Sequence, residues 1–129
     1  MYFVYIFANE DQRLIPRRTK VGHSVDPFYR LRSLRLHTSP HRGLQDIVIH
    51  SCYVIGDASK ESAKLLEKAA HKKFKPMRVN FGDKFDGHTE WFDVEPHVIE
   101  KFFLSVGAKQ VPIDKLIALE QKVRKSTKK

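Results

Sequence analysis

Cysteine is nearly absent from this chain. A lone Cys52 in 129 residues excludes an internal disulfide and a cysteine-rich zinc site, as a reducing compartment would allow. Inside the apolar run from Ile47 to Ile55 it reads as a small buried hydrophobe, not a nucleophile. Seven histidines are present, without the paired spacing of a zinc site. Long hydrophobic runs are missing too. The N-terminal one ends at Ala8, has no basic residue before it and is followed by Asn9-Glu10-Asp11, which argues against a signal peptide or membrane span and makes cytoplasmic residence the expectation. Acidic residues are scarce: 15 Asp and Glu face 24 Lys and Arg, for a formal charge of +9. A positive field of that size favours a polyanionic partner such as nucleic acid. Between Arg13 and Arg42 there are eight basic residues and a single acid, Asp26.

What is present reads as one domain with its own core. Tyr2 to Phe7 is aromatic and β-branched, as a strand requires. Thr19 to His23 is a second strand; Asn9 to Gln12 supplies turn chemistry and Pro16 interrupts, so the two form a hairpin with a long loop. Asp26-Pro27 opens a helix to about Leu36, with Asp as N-cap and Pro at the first helical position. A loop from His37 to Gly43 leads to a strand within Gln45 to Ile55. Asp57 or Ser59 then caps a helix running to about Lys75, stopped by Pro76. Its apolar stripe is Ala63, Leu66, Ala70 and Phe74, with Leu65 and Ala69 widening it toward the core. Glu67 falls beside that stripe while Lys60, Lys64 and Lys68 point outward, so Glu67 either pairs with His71 at i+4 or serves chemistry. A surface loop from Met77 to His88 precedes the extended piece Thr89 to Asp93. Asp93 or Glu95, with Pro96, starts a helix ending at Gly107, whose core face is Ile99, Phe102, Phe103 and Val106. Pro112 opens a last helix, with Leu116, Leu119 and Val123 as its stripe, before the basic tail 124–129. The expected class is α/β (α+β), a small three-stranded antiparallel sheet flanked by helices.

Several of these pieces fall in a known order. Phe3-Val4-Tyr5 on the first strand, Lys20-Val21-Gly22 on the second, Arg30 eight residues beyond Gly22, and Glu90-Trp91-Phe92 further on resemble the signature of the GIY-YIG nucleases. The likeness is greatest to a branch with Lys in place of the second Tyr and a Glu-Trp-Phe near the domain end. Phe3 departs from the pattern, standing where the family has Gly. Tyr53-Val54-Ile55-Gly56 mimics the second motif in letters, but it follows the helix and has Lys64, not Arg, eight residues on.

The resemblance implies a nuclease domain over residues 1–107, followed by a C-terminal helix and basic tail over 108–129. It implies a metal-dependent endonuclease cutting DNA, with Mg²⁺ (or Mn²⁺) as cofactor, no small-molecule cofactor and no membrane partner. A dimer is compatible with the sequence. Hydrolysing a phosphodiester needs a deprotonated water and stabilisation of charge on the phosphate and leaving oxygen, and one cation held by a carboxylate serves the last two. Magnesium takes one or two protein carboxylates and keeps its waters, so Glu67 alone suffices as metal ligand. Arg30 suits the scissile phosphate, because guanidinium stays charged and forks onto phosphate oxygens. Tyr5 stands as general base, with Lys20 favouring its phenolate or orienting the water. Gly22, His23, Arg32, Arg35, His71 and Asn80 are candidates for substrate contact. Glu90 either supports the site or ends a strand. Two rivals remain: a catalytically inactive nucleic-acid-binding module of the same fold, motivated by Phe3, and a protein-interaction domain using the final helix.

Overall fold

The run Phe3–Asn9 is buried along its whole length, on both faces, which an edge strand could not be; it forms the central strand, β1. The computed structural model describes residues 1–10, 18–37, 46–80 and 90–118, and for 36 and 37 the backbone alone. β1 pairs antiparallel with β2 (Arg18–Ser24), Tyr5 facing Gly22 and Phe7 facing Lys20. On its other side it pairs antiparallel with β3 (Ile47–Val54), Tyr5 facing Cys52, with a register shift between Ile6 and Phe7.

The sheet has five strands, not the expected three. β4 (Trp91–Asp93) adds antiparallel to β2, and β5 (Lys109–Val111) adds antiparallel to β3, giving the order β4-β2-β1-β3-β5. Each edge strand is three residues long, too short to show a two-residue period.

Alternation along β1 divides the core. Val4 and Ile6 face α2 (Lys60–Lys73) and α3 (Pro96–Ser105), meeting Ala63, Leu66, Ala70, Ile99 and Phe103. Phe3, Tyr5 and Phe7 face the other way, packing with Leu31 of α1 (Pro27–His37), Trp91 and Leu116. Leu116 belongs to a helical stretch at 113–118, so the segment after Gly107 joins the same fold through both β5 and this contact.

Asp26 caps α1, its carboxylate accepting from the Tyr29 N–H at 3.1 Å. Ser59, not Asp57, caps α2: Ser59 Oγ accepts from the Ser62 N–H at 3.1 Å, while Asp57 accepts from the Ser59 N–H and the Ser62 hydroxyl one layer out. Glu95 precedes α3 without a side-chain cap, and Gly107 ends the helix in the left-handed region at φ 91. Three expected core assignments are corrected. Leu65 is 69% exposed and Ala69 and Val106 are exposed; among the described residues nothing packs over them, and they line a shallow apolar cleft of about 270 Å³ with Ile55 and Gly56. No helix among the described residues is long and apolar enough to cross a membrane. The expected loops around Pro16, 38–43 and 81–88, and the tail with Leu119 and Val123, lie outside the described residues.

Candidate active site

At Gly22 a side chain of β1 comes down directly onto the backbone of β2. Tyr5, opposite it, lays its ring across β2, and a Cβ on Gly22 would overlap the Tyr5 hydroxyl and Cζ. Only a residue without a side chain admits this approach. Two residues back on the same face, Lys20 donates from Nζ to Tyr5 Oη at 3.0 Å and to Glu90 Oε2 at 2.6 Å, with the ammonium 5.2 Å from the Tyr5 ring centre. Lys20 is 1% exposed, and a buried ammonium persists only with a partner. Burial pushes its pKa down, but Tyr5 and Glu90 outweigh it, and Lys20 is held above its ordinary value. Glu90 is the mirror case: burial pushes it up, yet the Lys20 cation holds it below the usual carboxylate range. The two form an ion pair with Tyr5 as third member.

A second cluster comes from α2, on the opposite side of β2. Glu67 is 8% exposed, and its Oε2 meets His23 Nδ1 of β2. His71 lies one turn on, its Nε2 3.7 Å from Glu67 Oε1, but its hydrogen bond goes to the Val21 carbonyl at 2.9 Å. The i,i+4 helix contact is thus the weaker of the two histidine partners. Burial holds His71 below its ordinary pKa, so at neutral pH it is an uncharged ring donating Nε2–H to Val21. Glu67 is pushed up to about 7, first by burial and then by the Glu90 carboxyl, with His23 opposing.

Glu90 joins the halves. Just before β4, at the edge of β2, it reaches Lys20 on one face, and from the other its carboxyl is near enough to help raise the pKa of Glu67. Two carboxyls so placed share a proton or a cation, and their hard oxygens fit a divalent ion that keeps most of its water. Among the described residues no group of three or more His, Cys, Asp or Glu could hold a metal, so the donor set fits a hydrated ion more than a closed cage.

Six of the expected residues therefore gather around β2: Tyr5, Lys20, Gly22, His23, Glu67 and His71. Arg30 lies half-buried in the first turn of α1, beside Leu31, which packs in the same core cluster as Tyr5. Arg32 is exposed on that helix. Arg35 donates from Nε to the Ile47 carbonyl at 3.0 Å, tying the end of α1 to the start of β3. Ile47 faces Asn9, four residues from Tyr5 along β1, so this hydrogen bond sits about 13 Å from the Tyr5 level of the sheet. Asn80 is exposed, next to Val79, whose N–H bonds the Trp91 carbonyl at 2.9 Å. The sequence left Glu90 open between two roles; the signal for the first is the register that sets its neighbour Trp91 opposite Lys20.

A family model described as the T5orf172 domain matches residues 2–107. A protein of Escherichia phage T5 named "Putative endonuclease" is 33% identical over 92 residues, covering 71% of this chain and 31% of that protein. The chain thus spans about a third of that relative's length. No solved structure matches it. With the family's pattern running from the first residue of the central hairpin through the end of α3, the chain belongs to the T5orf172 domain family.

Proposed function

We propose that this domain is an endonuclease that hydrolyses DNA phosphodiester bonds with a divalent metal ion, in the manner of the GIY-YIG nucleases. The observation that carries the reading is the buried chain Tyr5–Lys20–Glu90, which ends against Glu67. The signature resemblance assigns a base, a basic residue and a metal-binding acid to Tyr5, Lys20 and Glu67; Lys20 bonds Tyr5 on one face of β2, Glu67 meets His23 on the other, and Glu90 stands at the edge between them. The name of the phage relative points the same way.

In this reading Glu67, with Glu90 alongside, holds Mg²⁺ or Mn²⁺. Such an ion, when bound, neutralises charge developing on the phosphate and the leaving oxygen. The chain's own residues do the rest. Lys20 donates to Tyr5 Oη and so orients that oxygen for its part as general base. Tyr5 then accepts a proton from the attacking water. Solvent reaches the Glu67 end, where the His23 side chain is 25% exposed, whereas Tyr5 and Lys20 are each 1% exposed. Glu90 keeps the ammonium charged in its buried position, and Arg30 forks onto the non-bridging phosphate oxygens.

Nicking of supercoiled plasmid by the purified protein in Mg²⁺ or Mn²⁺, abolished by EDTA and by Glu67→Gln, is the expected result. DNA binding without cleavage in either metal would select the non-catalytic module instead. Phe3, the feature that motivates that rival, is 4% exposed and packs in the Tyr5 cluster; its bulk fills core and leaves the Tyr5–Lys20 hydrogen bond formed.

A further inference from the structure

A second strongly basic segment lies on α2, separate in sequence from the Arg13 to Arg42 stretch. Residues 60–78 hold seven Lys and Arg against two acids, Glu61 and Glu67, and Glu67 is buried. Lys60, Lys64, Lys68 and Lys72 recur every four residues and are all exposed. Residues at i and i+4 stack on one helix face, so the four ammonium groups form a single row about 18 Å long at 1.5 Å rise per residue. No ion pair engages any of them among the described residues. The row has a definite neighbour. Three residues on from Lys60, Lys64 and Lys68 stand Ala63, Glu67 and His71, the adjacent row of the same helix, and the last two belong to the candidate site.

We infer that the lysine row of α2 is the track for one phosphate backbone of duplex DNA, laying the strand beside Glu67. The inference rests on the nuclease reading for its substrate and adds the surface that positions it. Length and charge match. One strand of B-DNA rises about 3.4 Å per phosphate along the axis but winds as it rises, so successive phosphates stand about 7 Å apart along the backbone and about 18 Å of track faces about three of them. Flexible ammonium groups in a periodic row touch phosphates without reading bases, so the track is indifferent to sequence. Site and track share one rigid helix, so a bound strand is held in register with Glu67 and not merely concentrated near it.

The test is equilibrium binding of the full chain to a duplex DNA, in EDTA so that nothing is cut, across a series of NaCl concentrations. K64Q/K68Q/K72Q is compared with K101Q/K109Q/K115Q, which removes the same charge from exposed positions of α3, β5 and the helical stretch 113–118. Circular dichroism checks the fold of each. For the α2 variant the slope of log affinity against log salt becomes shallower by about 2 to 3, at about 0.9 for each phosphate no longer neutralised. The slope of the control changes by less than about 0.9, the equivalent of one phosphate. Equal changes in the two variants, no change in the α2 variant, or no DNA binding by the wild type overturns the track. The nuclease reading fails separately: a wild type that binds with the expected slope difference but never cuts in Mg²⁺ or Mn²⁺ keeps the track and loses the catalysis.

Discussion

Replacing Glu90 with Gln isolates the ion pair on which the candidate site is built. Gln keeps the size and an acceptor oxygen for Lys20 but removes the negative charge, so an ammonium that is 1% exposed loses its carboxylate at 2.6 Å. Breaking a buried pair from one side costs about 3–5 kcal/mol. The Glu90 side chain is 23% exposed and water reaches it, so the lower end, about 3 kcal/mol at pH 7, is expected. The pH dependence has a definite sign. In the wild type, burial pushes Lys20 down but Tyr5 and Glu90 hold it above its ordinary value. Its stabilising contribution is therefore fully present below the unfolded lysine pKa of about 10.4, and is lost only as pH rises through the higher folded one. Without Glu90 burial prevails and the folded pKa falls below the unfolded one. The penalty then fades as pH rises through that lower value, because the folded state sheds the proton first. The deficit of Glu90→Gln should narrow between pH 7 and 10, by at most about 1.4 kcal/mol per pH unit for one proton. Urea unfolding of wild type, Glu90→Gln, Lys20→Met and the double variant across that range measures it. The double variant should recover most of the Glu90→Gln loss, since no unpaired buried charge remains. A loss under about 1 kcal/mol, as for an exposed pair, or a deficit flat from pH 7 to 10, refutes the argument.

Glu67→Gln should abolish metal-dependent nicking while leaving DNA affinity intact; a fall in Tm with unchanged activity per folded molecule would make Glu67 a structural residue. Because burial pushes Glu67 up to about 7, above an unfolded value of about 4.3, its contribution to stability is present below the unfolded pKa and lost as pH rises through 7. The metal-free wild type should thus lose Tm between pH 5 and 8 more steeply than Glu67→Gln. Tyr5→Phe should slow cleavage by about 10² to 10⁴ at all pH values, whereas Lys20→Met should slow it at pH 7 and move the rising limb of the single-turnover profile upward. An unshifted limb with weaker binding would make Lys20 a plain phosphate ligand. Gly22→Ala drives a methyl group into Tyr5 and should cost about 1–3 kcal/mol by overpacking, read by chemical denaturation.

The hairpin is legible in the sequence because its residues are selected on both faces. Phe3 to Ala8 is apolar throughout, which marks a strand though not its central place in the sheet, and a glycine opposite an aromatic marks the place where β1 and β2 approach closely. Glu67 is legible as a charge in a buried helical row. The margins of that row are not. A 3.6-residue period tells which face is apolar but not how far the neighbouring elements extend over it, and Leu65 and Val106 lie beyond the cover that α3 and β3 provide. The edge strands escape for a different reason: Lys109-Gln110-Val111 has two exposed residues of three, and its strand identity comes from β3 alone.

The role of Glu90 stays open in the sequence because its partner is 70 residues away, and only the register of β4 on β2 brings them together. That register is specified by side chains on both faces. Trp91 is buried in the Tyr5 cluster and Phe92 in the α2 cluster, so a slip of one residue would exchange their faces. The same slip would carry Glu90 off the edge position from which it reaches Lys20. Hydrophobic burial of Trp91 and Phe92 therefore sets the place of the carboxylate, and the ion pair in turn penalises the slipped strand by leaving a buried ammonium unpaired. Glu-Trp-Phe acts as one unit: two aromatics that lock three residues of strand onto an edge, and an acid whose charge is correct only in that register.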